Sequence, residues 1–412
     1  MVDVATNEVW TYGKVKEVIN DMAIQYYIRG WEPFSPIAVS ITPNHRIYPV
    51  TVLAAARVGM PTVLIDTALK AREMARQMKL TNVNNIITHN SIVQYVRDAT
   101  STLRNIKEIL VLDKEDETKD KKDVRWSMEM KYNLLFGKPP GWGAIPDWAI
   151  TPGLNMLLLC DHIVEEEEPT LKASVLVQRA MSHTILALRT MESKLSPSDV
   201  FISTLPPHNI LSFTNIIFPW FIGGKSVLLD TYSLEKFIDL VEKQKITFAF
   251  MGSSQITELL QSNTTPEQLA SIHTIVVPDP ISLETINQLE QKFKNIQLKQ
   301  CYGIPRLSPP LIYSPPSNTK KGSAGVLMPG IEAMVVDPAT GNELDVDCEG
   351  DLYVRGPQLM SHTVSVLLKP DAPKPKPSGE LDSSSFIKTG DRAKVDKDGY
   401  WWISPKEKTA EK

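Results

Sequence analysis

Between Val9 and Tyr302 the hydrophobic period of this chain switches repeatedly between helix-like and strand-like, and that alternation limits the fold more than any other feature. Helical stretches at Tyr12 to Arg29, Tyr48 to Val58 and Lys70 to Met78 are interleaved with strand-like stretches at Pro36 to Ser40, Pro61 to Ile65, Asn85 to Thr88 and Glu108 to Leu112. A second series follows. Strands are predicted at Val200 to Thr204, Ser226 to Leu229, Phe248 to Met251, Thr274 to Val277 and Gln297 to Tyr302. Between them lie a buried helix at Ile210 to Phe221, an amphipathic helix at Ser233 to Lys243 opened by its serine, and helices at Ser254 to Gln261 and Leu283 to Phe293. Strands separated by such helices predict βαβ units and parallel sheets. Beyond Pro309 the texture changes to short strands and turns, with Gly325 to Met328, Glu332 to Asp337 and Gly350 to Arg355 reading as a small all-β unit. The expected class is α/β: two βα-layered subdomains with largely parallel sheets, at 1–195 and 196–308, plus a small β-barrel-like subdomain at 309–412.

At 412 residues the chain has ample material for large cores. Its net charge of -4 and charged content of 22% give no reason to expect nucleic acid or an anionic membrane as partner. Cys160, Cys301 and Cys348 lie far apart, and the histidines show no Cys/His ligand spacing, so reduced thiols and no metal site are expected. The N-terminus lacks a basic start and an apolar run, which makes the cytoplasm the expected location, with peripheral association with an organelle still compatible. The most apolar region, Ile210 to Leu229, is interrupted by Pro219, Gly223, Gly224 and Lys225, so no transmembrane segment is expected. The mixed-charge run Asp113 to Asp123, the Gly/Pro-rich Gly137 to Pro146 and the proline-rich Lys369 to Ser385 read as solvated connections. No tandem repeat is seen.

Near the C-terminus, Phe386-Ile387 and Tyr400-Trp-Trp-Ile403 bracket two turn signals, Thr389-Gly390-Asp391 and Asp398-Gly399. The segment reads as a hairpin with Asp-Gly at its tip, which leaves Asp391 at the edge of a turn. A carboxylate there is either a turn residue or an acceptor for a sugar diol.

The order of elements, together with Lys388-Thr-Gly-Asp391, Asp398-Gly-Tyr400, Gly350-Asp-Leu-Tyr-Val-Arg-Gly-Pro357, Gly322-Ser-Ala-Gly325 with Pro329-Gly330, Cys301-Tyr-Gly303 and Asp199-Val200 leading to Leu205-Pro206, resembles the N-terminal domain of the adenylate-forming superfamily. Acyl-CoA and aryl-CoA synthetases and firefly luciferase belong to that superfamily. The resemblance covers nearly the whole chain. It implies a reaction in which a carboxylate attacks the α-phosphate of ATP, pyrophosphate leaves, and the acyl group passes to the thiol of CoA. Such chemistry rests on positioning and charge neutralisation. The nucleotide implied is AMP or ATP, and the partner an acyl or aryl carboxylate or its CoA ester, in fatty-acid metabolism. A partner chain or homo-oligomer is a further expectation.

By the same resemblance Asp391 matches the aspartate that holds the ribose hydroxyls, Tyr302 the aromatic residue that stacks on adenine, and Gly303 the glycine after it. Lys406, fifteen residues after Asp391, stands where the family has an arginine, keeping the charge but losing the planar fork. Lys172 is the remnant of the phosphate loop, which in the family ends just before a helix.

Several positions depart from the pattern. Glu165-Glu-Glu-Glu168-Pro-Thr170 takes the place of the glycine-rich phosphate loop, so the glycines that admit close backbone approach are replaced by four carboxylates. Two unit charges about 4 Å apart interact by about 4 kcal/mol at an effective dielectric near 20, enough to weaken triphosphate binding by several powers of ten. Pro305 and Arg306 stand where a threonine meets phosphate and a glutamate holds Mg²⁺, so Mg²⁺ binding is not expected. The adenine-side loop reads Val277-Pro-Asp-Pro280 without glycine, and the histidine near the acyl pocket has two candidates, His208 and the aligned Asn209. Thr409 occupies the hinge position, and the chain stops where a mobile C-terminal domain would begin. Two functions stay open: an ATP-dependent acyl-CoA ligase using altered motifs or a partner chain, or a catalytically impaired homologue with a binding or regulatory role.

Overall fold

The computed structural model describes residues 1–4, 8–41, 45–112, 123–126, 155–165, 168–206, 209–229, 231–304, 310–317, 320–367, 376–377 and 385–404, with backbone alone at 123–126, 155–165, 168–172, 362–367 and 376–377. The chain divides into two compact units, the first of residues 1–179, 206–208 and 360–380, the second of the remainder.

Unit 1 opens with a short antiparallel pair, β1 (Val2–Asp3) and β2 (Glu8–Val9), and helix α1 (Tyr12–Ile28), whose N-cap Thr11 accepts a hydrogen bond from the Lys14 N–H. Then come β3 (Ile37–Ser40), α2 (Ile47–Arg57), β4 (Thr62–Leu64), α3 (Ala71–Leu80), β5 (Asn85–His89), α4 (Val93–Thr100), β6 (Glu108–Leu112) and β7 (Asp123–Trp126). These strands pair in parallel in the order β4-β3-β5-β6-β7. One face of the sheet is closed by α3 and α4, whose Met74, Met78, Val96 and Ala99 pack on Ala38, Val63, Ile86 and Ile109. Each large side chain buried there contributes about 1.5–3 kcal/mol. Next to β4 runs β8 (Asn155–Glu165), which turns back into β9 (Glu168–Val177), so the two form a long antiparallel hairpin.

Helix α5 (Gln178–Met191) leads into unit 2, which comprises β10 (Val200–Ser203), α6 (Ile210–Ile222), β11 (Lys225–Leu228), α7 (Leu234–Gln244), β12 (Phe248–Phe250), α8 (Ser253–Gln261), β13 (Thr274–Val277), α9 (Leu283–Lys292) and β14 (Gln297–Tyr302). Local chemistry sets these boundaries. Asn209 caps α6 by accepting the Leu211 N–H, Gly223 ends it in the left-handed conformation, and Ser233 and Ser282 cap α7 and α9. The parallel order is β11-β10-β12-β13-β14. Both units therefore share one strand order, second-first-third-fourth-fifth, although the sequence carries no visible repeat.

The later chain adds β15 (Ile312–Tyr313) and β16 (Val326–Leu327) antiparallel to the edge strand β14. Tyr313 and Ile312 are fully buried, which keeps this pair with the large sheet rather than in the separate all-β unit expected for Gly325 to Met328. A four-stranded antiparallel sheet follows, made of β17 (Glu332–Val336), β18 (Gly350–Arg355), β21 (Ile387–Val395) and β22 (Trp401–Ser404) in that order. Between β18 and β21 the chain returns to unit 1, where β19 (His362–Leu367) pairs with β9 and β20 (Lys376–Pro377) with β19. Asp113 to Lys122, Gly137 to Pro146 and most of Lys369 to Ser385 lie outside the described residues. Among the described residues no helix is long and apolar enough to cross a membrane.

Two polar networks hold unit 2. At its centre, Glu192 just after α5 accepts from the Lys299 ammonium at 2.5 Å and from the Tyr313 hydroxyl at 2.7 Å. Lys299 and Glu192 are only 2% and 6% exposed, so neither charge is tolerable without the other. Burial and the neighbouring Glu192 push the Tyr313 phenol well above its ordinary range. At the N-terminal ends of the strands, Asp199 receives the Thr247 hydroxyl at 2.8 Å, the Ser196 N–H at 2.8 Å and His273 Nε2 at 3.0 Å. Burial by itself would raise the Asp199 carboxyl, but the hydrogen bonds from His273, Ser196 and Thr247 outweigh it and hold it below the ordinary value. A carboxyl lowered on folding contributes stability that is complete above its unfolded value, about 3.9, and is lost as the pH falls through the folded value. Asp199→Asn should therefore lower stability at neutral pH and flatten the acid limb of a denaturation-versus-pH profile; an unchanged acid limb would show that Asp199 contributes nothing to it.

Candidate functional site

The site lies where two elements of unit 2 meet. Tyr302 ends β14, at the carboxyl edge of the parallel sheet, and Gly303 follows it. Asp391 lies in β21, and its Oδ2 accepts the Tyr302 hydroxyl at 2.7 Å. The two positions that resemble the adenine and ribose contacts are thus in direct contact, 89 residues apart in sequence.

The Lys-Thr-Gly-Asp segment is not the turn that its composition suggests. It is an irregularity inside β21. Asp351 pairs with Arg392 and Tyr353 with Lys388, so Thr389, Gly390 and Asp391 together oppose the single residue Leu352. Gly390 takes a φ of 96°, open to glycine and rarely to other residues. Thr389 is 2% exposed; its hydroxyl donates to the Leu352 carbonyl at 3.0 Å and accepts the Asp391 N–H at 3.1 Å. Lys388 is turned to Asp351, whose hydrogen bond raises the lysine above its ordinary value. Thr389 and Asp351 are positioning residues that the sequence reading did not identify, although a glycine inside a strand pattern is a usual mark of a bulge.

The expected hairpin is present, with β21 and β22 pairing from Val395–Trp401 to Arg392–Ser404. At its tip Asp396 accepts the N–H groups of Asp398 and Tyr400, and Lys320 binds both Asp396 and Asp398. The Gly322-Ser-Ala-Gly325 motif fixes this hairpin to β15. The Ala324 N–H donates to the Trp401 carbonyl and the Trp401 N–H to the Gly325 carbonyl, both at 2.8 Å. Gly325 has a φ of 114°, and a Cβ there would lie 2.2 Å from the Tyr313 carbonyl oxygen.

Asp279, in the loop that replaces the usual glycines, accepts the Ser253 N–H at 2.9 Å and so ties the end of β13 to the start of α8. Asn209 is the helix cap already described. Lys172 belongs to unit 1, where its backbone pairs with Asp161 of β8 and Ser365 of β19. It sits inside a strand that runs to Val177, and the helix begins only at Gln178, so the expected loop directly before a helix is replaced by a paired strand. Glu165 pairs with Glu168 at the end of the β8–β9 ladder, and Glu166 and Glu167 lie outside the described residues. His208, Pro305, Arg306, Lys406 and Thr409 lie outside the described residues. Among the described residues no group of three or more His, Cys, Asp or Glu could hold a metal ion.

The doubly wound units and the β sheet have known counterparts. The fold superposes on ATP-bound MatB from Rhodopseudomonas palustris with a TM-score of 0.76 at 20% identity, covering 98% of this chain and 75% of that one. The sequence matches the AMP-binding enzyme family over residues 1–142 and 170–362, and the chain belongs to that family. It is 30% identical over 190 residues to the probable 4-coumarate–CoA ligase 1 of Dictyostelium discoideum, a match covering 45% of this chain and 33% of that protein. It is 23% identical over 417 residues to 4-coumarate–CoA ligase of Vanilla planifolia, covering 98% of this chain and 71% of that protein. The chain is thus an acyl-CoA ligase-like member, and its match spans about a third of the Dictyostelium relative.

Gly325→Ala tests the geometry that holds the hairpin. The added methyl meets backbone, so the variant should lose about 3 kcal/mol in chemical denaturation. A loss below about 1 kcal/mol would show that the Tyr313–Gly325–Trp401 contact is dispensable.

Proposed function

We propose that this protein binds an adenine nucleoside or AMP through Tyr302, Gly303 and Asp391, and that it is impaired in forming an acyl-adenylate. The hydrogen bond between Tyr302 and Asp391 carries the reading. It places an aromatic ring and a carboxylate side by side, as recognition of a base and its ribose requires, and it uses one of about four acceptor positions on the carboxylate. Lys406 is assigned the second ribose contact, by position alone. Membership of the AMP-binding family supports the nucleotide.

Phosphate handling is where the chain departs. A strand pair ending in Glu165 opposite Glu168 offers a triphosphate neither a glycine cradle nor positive charge. Lys172 is the one basic remnant of the phosphate loop, and its strand setting gives it two paired neighbours instead of a phosphate-facing loop. Pro305 and Arg306 supply neither the hydroxyl nor the carboxylate that MgATP would need. The protein therefore acts as a binding or regulatory member, in the cytoplasm, with an acyl or aryl carboxylate or its CoA ester as the second ligand.

ATP–pyrophosphate exchange with a panel of fatty and aromatic acids should stay at background. Exchange above background, abolished by Asp391→Ala, would establish the alternative, an active ATP-dependent ligase working through altered motifs. In calorimetry AMP should bind more tightly than MgATP, and Asp391→Ala should weaken AMP at least tenfold. Tighter binding of MgATP would contradict the electrostatic reading of the acidic hairpin.

A further inference from the structure

The buried pair of Glu192 and Lys299 is a weak device for stability alone. Apolar residues of similar volume in place of such a pair are often neutral or stabilising, whereas removal of one partner strands a charge. What the pair does supply is a choice of register. Strand residues alternate in face, so Lys299 and Cys301 of β14 point to one side of the sheet and Leu298, Gln300 and Tyr302 to the other. On the first side Lys299 meets Glu192 and lies 5.8 Å from the centroid of the Tyr313 ring. On the second, Leu298 and Gln300 line a cavity of about 30 Å³ together with Ile286 and Glu290 of α9.

A slip of β14 by one residue would turn Lys299 toward α9, where Glu290 is already held by Lys321, and would bring Leu298 or Gln300 to Glu192. A slip by two residues keeps the face but brings Gln297 or Cys301 there, and neither is a cation. Only one register of β14 therefore neutralises Glu192. The same carboxylate reads β15, because its Oε1 accepts the Tyr313 hydroxyl at 2.7 Å, while Leu311 and Pro315, two places away on either side, have no side-chain donor. Glu192 is itself fixed by its N–H, which donates to the Leu188 carbonyl at 2.8 Å.

Tyr302 lies three residues beyond Lys299, about 10 Å further along the strand. It pairs with Ile312, next to Tyr313, and its carbonyl accepts the Leu311 N–H at 2.7 Å. A slip by one residue would turn its ring to the other face of the sheet, away from Asp391. We propose that Glu192, Lys299 and Tyr313 are positioning residues, a buried register key that sets β14 against β15 and so delivers the Tyr302 hydroxyl to Asp391. The consequence for binding rests on the nucleoside reading of Tyr302 and Asp391; the consequence for the strands does not.

The test is the triple variant Glu192→Leu, Lys299→Met, Tyr313→Phe in the full chain, with Lys299→Met alone beside it. Thermal unfolding, residue-resolved hydrogen exchange and AMP titration are measured on each. The triple variant should match or exceed the wild-type Tm, and Lys299→Met should fall below it, because Glu192 is then buried without its cation. The amides of Leu311 and Ser314 donate to the Tyr302 and Gln300 carbonyls across the β14–β15 pair. In the triple variant they should exchange at least tenfold faster relative to those of Thr204 and Met251, which bond to other strands of the same sheet. AMP should bind the triple variant at least tenfold more weakly than the wild type. A lower Tm of the triple variant would make the network a stability element, and an unchanged Tm in Lys299→Met would show that Glu192 needs no cation. Unchanged relative exchange at Leu311 and Ser314, or equal AMP affinity, would show that the register is set elsewhere. Each of these four results overturns the proposal. If the wild type itself binds no AMP, the nucleoside reading fails, and the Tm and exchange results alone decide the register key.

Discussion

Parallel pairing cannot be closed by a tight turn, so every strand of such a sheet must be followed by a crossover, and every connection that leaves a strand's carboxyl end gathers on one edge. The functional geometry of this protein follows from that constraint. In unit 2 five parallel strands deliver Thr204, Gly252, the Val277–Pro280 loop and Tyr302 to the same edge. The opposite edge collects structural chemistry, with Asp199, Thr247 and His273 joining the starts of three strands. The starts of the strands are joined through Asp199, and the carboxyl edge carries the contact between Tyr302 and Asp391.

A ligand edge has to be rigid to be selective, and the buried charge supplies part of that rigidity. Glu192 grips Lys299 of β14 and Tyr313 of β15 at once, three residues before Tyr302 and beside the strand that pairs with it. Gly325 then wedges against Tyr313 and receives Trp401, which places the β21–β22 hairpin relative to the same strand. Asp391 reaches Tyr302 through this chain of contacts. Its position results from the sheet edge, the buried ion pair, the glycine contact and the bulge at Gly390, each fixing the next.

Much of this was legible in the sequence because it depends on local rules. Most strands between Ile37 and Tyr302 follow from short apolar runs between helical periods, and the start of α7 from Ser233. What was missed depends on partners distant in sequence. The hairpin of β8 and β9 holds the apolar run Met156 to Cys160, but the acidic run Glu165 to Glu168 has the composition of a loop, and the pairing of β9 with β19 joins residues nearly 200 apart. The bulge at Thr389 to Asp391 has turn composition, and only the opposing register of β18 reveals an irregular strand. The contact of Tyr302 with Asp391 is tertiary and leaves no period in the sequence. The matched positions named the two residues; the fold brought them together.

The positions matched to the nucleoside and those matched to the phosphate loop also differ in where they are built. Tyr302 and Asp391 depend on β14, β21 and the contacts of unit 2, whereas Lys172 and the acidic run belong to the β8–β9 hairpin of unit 1. A change in the hairpin leaves the register of β14, β18 and β21 untouched, because no residue of that hairpin takes part in their pairing. This separation lets the segments that mark the fold be read apart from the phosphate positions, which is why Lys-Thr-Gly-Asp identifies the family more securely than it identifies a reaction.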